Sequence, residues 1–146
     1  SLDLQKEQLE KYCYFNRDFY TRNLVHKEKG FELMVVCWSP GQKAPIHGHE
    51  GEKCWARIQK GSLQVCNYKE ISSDPMNLDL VDRVLAKKGY LDGPADIHSV
   101  ENISNDIAVS LHVYASPFDS CDIYDMETGV KNRIQLQYHS MFGKLC

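Results

Sequence analysis

The sequence predicts an all-β fold, a small jelly-roll-like barrel with one short peripheral N-terminal helix. From Phe31 onward, β-branched and aromatic runs alternate with turn residues: FELMVVCW, SPGQKAP, KCWARIQ, KG, SLQVCNYK. Many short strands at this spacing fit a sandwich or small barrel better than an α/β unit. Only one stretch, 3–14 (DLQKEQLEKYCY), combines good helix formers with a candidate cap, Asp3, and spaced apolar positions at Leu9, Tyr12 and Cys13. At 146 residues the chain builds one core and falls short of two ordinary domains, so a single domain over 1–146 is expected.

After the helix comes a polar segment, RDFYTRNLVHKEK, and then FELMVVCW as the first strand. Gln59, Lys60, Gly61 and Ser62 read as a tight turn joining two antiparallel strands, with glycine free to take a positive φ. Further strands are expected at 78–85, 90–91, 97–101, 107–114 and 133–139, and Ser72 to Pro75 reads as a surface loop.

The composition narrows the function classes. With 42% hydrophobic and 25% charged residues and a net charge of -3, the chain has no general electrostatic attraction for nucleic acid or anionic lipid. The longest apolar run, 33–38, is far shorter than the roughly 20 residues that cross a bilayer, and the charged N-terminus is unlike a signal peptide. Neither a nucleic-acid nor a membrane partner is expected. The six cysteines show no close pairing, so they read as mainly reduced, in a cytoplasmic protein. Cys13, Cys37, Cys66 and Cys146 read as small buried hydrophobes.

The sharpest local signal is Pro45-Ile46-His47-Gly48-His49. On an extended backbone, residues two apart leave the same face, so both imidazoles can reach one metal. The same spacing also arises by accident in exposed histidines. A further isolated histidine, His98, opens a strand after the turn-like Leu91-Asp92-Gly93-Pro94. Three neutral imidazoles would leave a divalent ion its full charge and, in an octahedral shell, three open positions, whereas a structural zinc site fills all four positions with protein ligands. Glu50 and Glu52 are rival ligands, although their place in a turn favours solvent.

Gly41, His47, His49, Cys54 and Gly61 fit a pattern that resembles the first motif of the cupin superfamily, with cysteine in the usual glutamate position. Gly89, Pro94, His98 and Asn102 approximate the second, with the Pro-to-His interval one residue short. More closely, the chain resembles the cysteine dioxygenase family. An arginine in YTRNL, the H-x-H-x4-C segment, the H-x-VEN segment, and S-L-H-x-Y followed by PFD-x-C occur in the family's order. Relative to that family the chain is shortened, chiefly in the helical region before YTRNL.

The resemblance implies a cupin-type barrel that binds Fe(2+) through His47, His49 and His98 and converts L-cysteine and dioxygen to cysteine sulfinic acid. It further implies that Arg22 pairs with the substrate carboxylate, that Tyr20 lines the pocket, and that Cys54 and Tyr114 form a thioether crosslink. His112 and Ser110 would support the Tyr114 hydroxyl, and Cys121 would sit near the pocket entrance. A monomer is expected. Alternatives are a dioxygenase for 3-mercaptopropionate or another small thiol, a metal-binding cupin without turnover, and an isomerase-like cupin using zinc or manganese.

Without the resemblance, Arg22 would read as a solvated arginine and Cys54 as a buried free thiol. Ser110, His112 and Tyr114 alternate with Val109, Leu111 and Val113, which by itself describes one exposed strand face. If that face points into a barrel, the hydroxyl and imidazole must bond one another or substrate, since an unsatisfied buried group costs roughly 1–3 kcal/mol. His26 and His139 are expected to face solvent. No G-x-S-x-G elbow supports a serine nucleophile at Ser110.

Overall fold

The structure, a computed structural model, describes residues 6–48, 53–73, 76–92, 97–115 and 119–146. A helix of five residues, α1 (Lys6–Glu10), is followed by strands throughout. These are β1 (Thr21–Glu28), β2 (Phe31–Trp38), β3 (Lys43–His47), β4 (Cys54–Lys60), β5 (Ser62–Ser73), β6 (Met76–Lys87) and β7 (Leu91–Asp92). Then come β8 (Ile97–Glu101), β9 (Ala108–Tyr114), β10 (Ser120–Asp125), β11 (Val130–Gln135), β12 (Ser140–Met141) and β13 (Lys144–Leu145). Among the described residues they form a seven-stranded sheet, β13-β12-β1-β2-β9-β4-β7, and a six-stranded sheet, β11-β10-β3-β8-β5-β6. β1 and β12 run parallel, and neighbouring pairs such as β1 with β2 and β5 with β6 are antiparallel.

The main core lies between the two sheets. Met34, Val36, Trp38, Ile58 and Ala108 from the first sheet meet Ala44, Leu63, Ala86 and Val100 from the second. β2 is buried on both faces, because Val35 and Cys37 on its other side form a second cluster with Val109, Leu111 and Leu9, against which Tyr12 and Cys13 pack. Double burial explains why FELMVVCW reads as a nearly continuous apolar run rather than an alternating one. Leu9, Tyr12 and Cys13 thus cover the outer face of the sheet, although the helix expected over 3–14 ends at Glu10 and Tyr12 and Cys13 lie in the segment after it; Asp3 lies outside the described residues.

Three expectations need correction. Gln59 to Ser62 is not a hairpin, since β4 belongs to the seven-stranded sheet and β5 to the six-stranded one. Gly61, at φ +73°, is the corner where the chain changes sheets, and a Cβ there would meet the Ile107 carbonyl oxygen at 2.5 Å. Of the loop expected over Ser72 to Pro75, Ser72 and Ser73 belong instead to the far end of the β5/β6 ladder, which runs from Ser62 opposite Lys87 to Ser73 opposite Met76, and Asp74 and Pro75 lie outside the described residues. The strand expected at 133–139 occupies Val130–Gln135, and β1 and β10 were not foreseen as strands.

Replacing Gly61 by alanine is expected to cost roughly 2–4 kcal/mol, combining left-handed strain with a backbone clash. Gly41 also has positive φ, at +83°, but nothing lies within 4 Å of its would-be Cβ; Gly41→Ala should cost only about 1 kcal/mol. Urea denaturation of the two variants measures the difference, and equal losses would contradict the corner assignment.

Candidate active site

β3 and β8 are neighbours in the six-stranded sheet, and their register sets His47 opposite His98. The two ring centroids are 4.7 Å apart with planes at 67°. His47 Nδ1 lies 2.6 Å from the Pro45 carbonyl oxygen. A carbonyl can only accept, so Nδ1 carries the proton and Nε2 keeps its lone pair for a metal. His98 is buried, at 4% exposure. The ladder shifts register between Ala44 and His47, and such an irregularity re-aims side chains at the edge of a site. His49, Glu50 and Glu52 lie outside the described residues. Among the described residues no group of three His, Cys, Asp or Glu surrounds a metal position; two of the three expected ligands are brought together.

The facing wall comes from β2, β9 and β4. Ser110 and His112 lie opposite Val36 and Met34 of β2, and Tyr114 lies opposite Cys54 of β4. The polar side of β9 therefore turns inward. The Trp38 indole Nε1–H donates to Ser110 Oγ at 3.0 Å, and Ser110 Oγ is 2.7 Å from His112 Nε2. The His112 ring stacks near-parallel with Tyr114, centroids 6.1 Å apart. The bland reading of this strand as a solvated face is excluded, because Ser110 is fully buried.

Cys54 and Tyr114 are hydrogen-bonded cross-strand partners. Burial pushes the Cys54 thiol up to about 12, with the bond from Tyr114 pulling the other way. Burial, then the neighbouring Cys54, holds the Tyr114 phenol well above its ordinary value, and Arg22 opposes both. Tyr114 is thereby kept as a hydrogen-bond donor.

Arg22, on β1 opposite Val36, is held rather than solvated. Its Nη1 donates to the Gln137 carbonyl at 3.0 Å, its Nη2 lies 3.8 Å from Glu32 Oε1, and its guanidinium sits 5.2 Å from the Tyr138 ring centroid. Glu32 was missed by sequence reasoning. It is 1% exposed, accepts from the Tyr138 hydroxyl at 2.8 Å and has Lys27 Nζ at 3.9 Å. A carboxylate two positions into the apolar run FELMVVCW was the available signal, since a buried charge requires partners. Burial and Glu32 push the Tyr138 phenol up to about 12. Tyr20 stacks on Trp38, with centroids 4.7 Å apart and planes at 19°.

Every predicted site residue among the described ones lines one cavity of about 100 Å³, far below the roughly 300–1,000 Å³ of sites for drug-sized ligands. It thus suits small molecules. Cys121 is in its wall and is itself buried, at 1% exposure. His26 is exposed beside Glu28, as expected, whereas His139 is half-buried, with its ring 6.2 Å from that of Tyr14.

The family model for cysteine dioxygenase type I matches residues 2–127. The chain belongs to that family. It is 38% identical to human cysteine dioxygenase type 1 over 138 residues, covering 90% of this chain and 68% of the relative. The rat protein of the same name is 36% identical over the same shares, and the zebrafish protein 32% identical over 92% of this chain and 70% of the relative. Among solved structures, TT1209 from Thermus thermophilus superposes with a TM-score of 0.61 at 22% identity, covering 74% of this chain and 93% of that one. The cupin domain of Cnp3 from Schizosaccharomyces pombe gives a TM-score of 0.54 at 18% identity, over 67% of this chain and 61% of that one. These structural likenesses establish the all-β cupin fold, while the family assignment rests on sequence.

The raised Cys54 thiol has a consequence for stability. Between the ordinary value of 9.0 and about 12, the unfolded chain loses a proton that the folded chain keeps. Stability therefore falls as pH rises through that window. Cys54→Ala should be less stable at neutral pH yet decline less steeply across it. Denaturation midpoints measured as a function of pH give the slopes; identical slopes for parent and variant would contradict a buried neutral thiol.

Proposed function

We propose that this chain oxidises L-cysteine with dioxygen to cysteine sulfinic acid at ferrous iron held by His47, His98 and His49. Membership of the cysteine dioxygenase type I family supports the reaction. The observation that carries the site is the His47 and His98 pair, facing across β3 and β8 at the cavity that Arg22, Cys54 and Tyr114 also line. An all-imidazole donor set with His47 Nδ1 already committed to a carbonyl suits a redox-active divalent ion that must keep open positions. Iron bound there supplies a centre where thiolate sulfur and dioxygen meet, and the substrate sulfur provides the electrons.

The remaining residues position and protonate. Arg22, oriented by Glu32 and Gln137, pairs its planar guanidinium with the substrate carboxylate, a geometry that lysine cannot supply. This fixes one end of a small substrate and reduces the entropy cost of bringing its sulfur to the reacting position. Tyr114 keeps its proton and donates a hydrogen bond to an oxygen atom of the bound reactants. The chain from Trp38 through Ser110 to His112 fixes the imidazole beside Tyr114. Tyr20, flat against Trp38, closes one side of the cavity. Cys54 Sγ and the Tyr114 ring are the partners of a thioether. Forming it removes two electrons and two protons, for which dioxygen is the acceptor.

Metal analysis and oxygen uptake on iron-reconstituted protein separate these roles. His98→Ala should lose both iron and activity. Arg22→Ala should keep iron and need about 10- to 100-fold more cysteine, the scale of one lost charged hydrogen-bond pair. Tyr114→Phe should keep iron and turn over roughly 10- to 100-fold more slowly at saturating cysteine. An Arg22→Ala protein empty of iron beside a fully loaded His98→Ala protein would reverse the assignment.

A further inference from the structure

We propose that Cys13 and Cys37 form a redox-active thiol pair that small carboxylate-bearing disulfides oxidise to an intramolecular disulfide. The pair lies on the outer face of the seven-stranded sheet, away from the cavity of the proposed reaction. Cys37 is fully buried on β2, and Cys13 follows α1 and packs on the same cluster. Backbone bonds from Tyr12 N to Leu9 O (2.9 Å) and Cys13 N to Glu10 O (3.1 Å) fix the segment after the helix. Thr21, directly opposite Cys37 across the β1/β2 ladder, donates its hydroxyl to the Tyr14 carbonyl and so holds the 13–14 backbone over Cys37. Cys13 Sγ donates to the Leu9 carbonyl oxygen at 3.3 Å, the Asn23 amide Nδ2 lies 3.7 Å from Cys37 Sγ, and the two thiols are near enough to perturb one another's ionisation.

A second cavity of about 440 Å³ gives Cys13 access to small molecules, with Lys60, Lys88, Gln59 and Glu10 also in its wall. The Gln59 Nε2 atom is buried with no hydrogen-bond partner. Two ammonium groups against the single Glu10 carboxylate leave the wall net positive, which with the unused amide donor suits carboxylates, and a neighbouring thiol suits a disulfide that carries them. Interaction with Cys37 draws the Cys13 thiol below its ordinary value against burial and the Glu10 carboxylate, with Lys60 a smaller aid, whereas interaction with Cys13 and burial hold the Cys37 thiol up. Cys13 lines the cavity whereas Cys37 is fully buried, so Cys13 is the attacking sulfur.

The steps balance without further reagents. The Cys13 thiolate attacks one sulfur of the small disulfide, forming a mixed disulfide and releasing one thiol. Cys37 Sγ then attacks Cys13 Sγ, its S–H proton passing to the departing sulfur, so that the internal bridge forms as the mixed-disulfide bond breaks and the second thiol leaves. The protein loses two electrons and two protons, and the small disulfide takes both. The bridge would tie the segment after α1 to the strand that carries Trp38, next to the proposed reaction cavity.

Glutathione disulfide is the probe, applied to folded protein in a Cys146→Ser background that removes the exposed thiol, with thiol blocking and peptide mass mapping as the readout. The expected result is a Cys13–Cys37 linked peptide pair, two glutathiones released per chain, and a higher denaturation midpoint that reductant reverses. Cys37→Ser should stop at a glutathione adduct on Cys13, and Cys13→Ser should form neither. Lys60→Ala with Lys88→Ala should slow the first step about tenfold by removing local positive potential. A persistent glutathione adduct on Cys13 in the Cys37-containing protein, no reaction at Cys13, or linkage to another cysteine would overturn the pair. An unchanged rate in the double lysine variant would overturn the role of the cavity. None of these outcomes depends on iron or on cysteine turnover.

Discussion

The antiparallel register of two ladders is the constraint on which the rest of the molecule depends. In one sheet, β3 against β8 sets His47 opposite His98; in the other, β4 against β9 sets Cys54 opposite Tyr114. Side chains alternate faces along a strand, so a slip of one residue in either ladder would turn its functional groups to the other side. Burial enforces the register. Ile58 and Ala108 share the inward side of their sheet with Ser110, and Ala44 and Val100 flank the histidines on the other. The hydrophobic core therefore specifies the site as well as the fold, because moving a polar group out of the cavity would bring an apolar one into water.

The polar residues between the sheets are tolerated because each passes its hydrogen-bonding need to a neighbour. Trp38 satisfies its indole on Ser110, and Ser110 meets His112. Glu32, a buried carboxylate that would otherwise be costly, draws Arg22, Lys27 and Tyr138 around it. Arg22 is thereby aimed before any substrate arrives, so less ordering remains for the binding step. The same neighbourhood keeps Tyr114 and Cys54 neutral. Low-polarity burial, rather than any one partner, is the leading cause for both.

Much of this was legible in the sequence, for identifiable physical reasons. The doubly buried strand FELMVVCW and the inward polar face of Ser110, His112 and Tyr114 showed themselves through apolar continuity and period-two alternation. The H-x-H pair and the ordered motifs shared with the cysteine dioxygenase family marked the site residues. β1 was hidden because Arg22, His26, Lys27 and Glu28 make its pattern polar, and only its first half is buried. β10 mixes a buried Cys121 with half-buried neighbours, and β11 is exposed along its whole length. Gly61 advertised a turn, yet a hairpin and a change of sheet use the same glycine chemistry; long-range pairing decides between them. Glu32 was overlooked because an apolar strand reads as core even where one carboxylate interrupts it.

A site built from imidazoles alone differs from one completed by a thiolate or a carboxylate in its scattering as well as its chemistry. X-ray absorption at the iron edge of anaerobically loaded protein tests this most directly. The proposed His47, His98 and His49 set predicts nitrogen and oxygen neighbours with imidazole scattering and no sulfur at rest, and a sulfur neighbour only after L-cysteine is added. A sulfur neighbour before substrate, or a shell unaltered by replacing both His47 and His98, would contradict it.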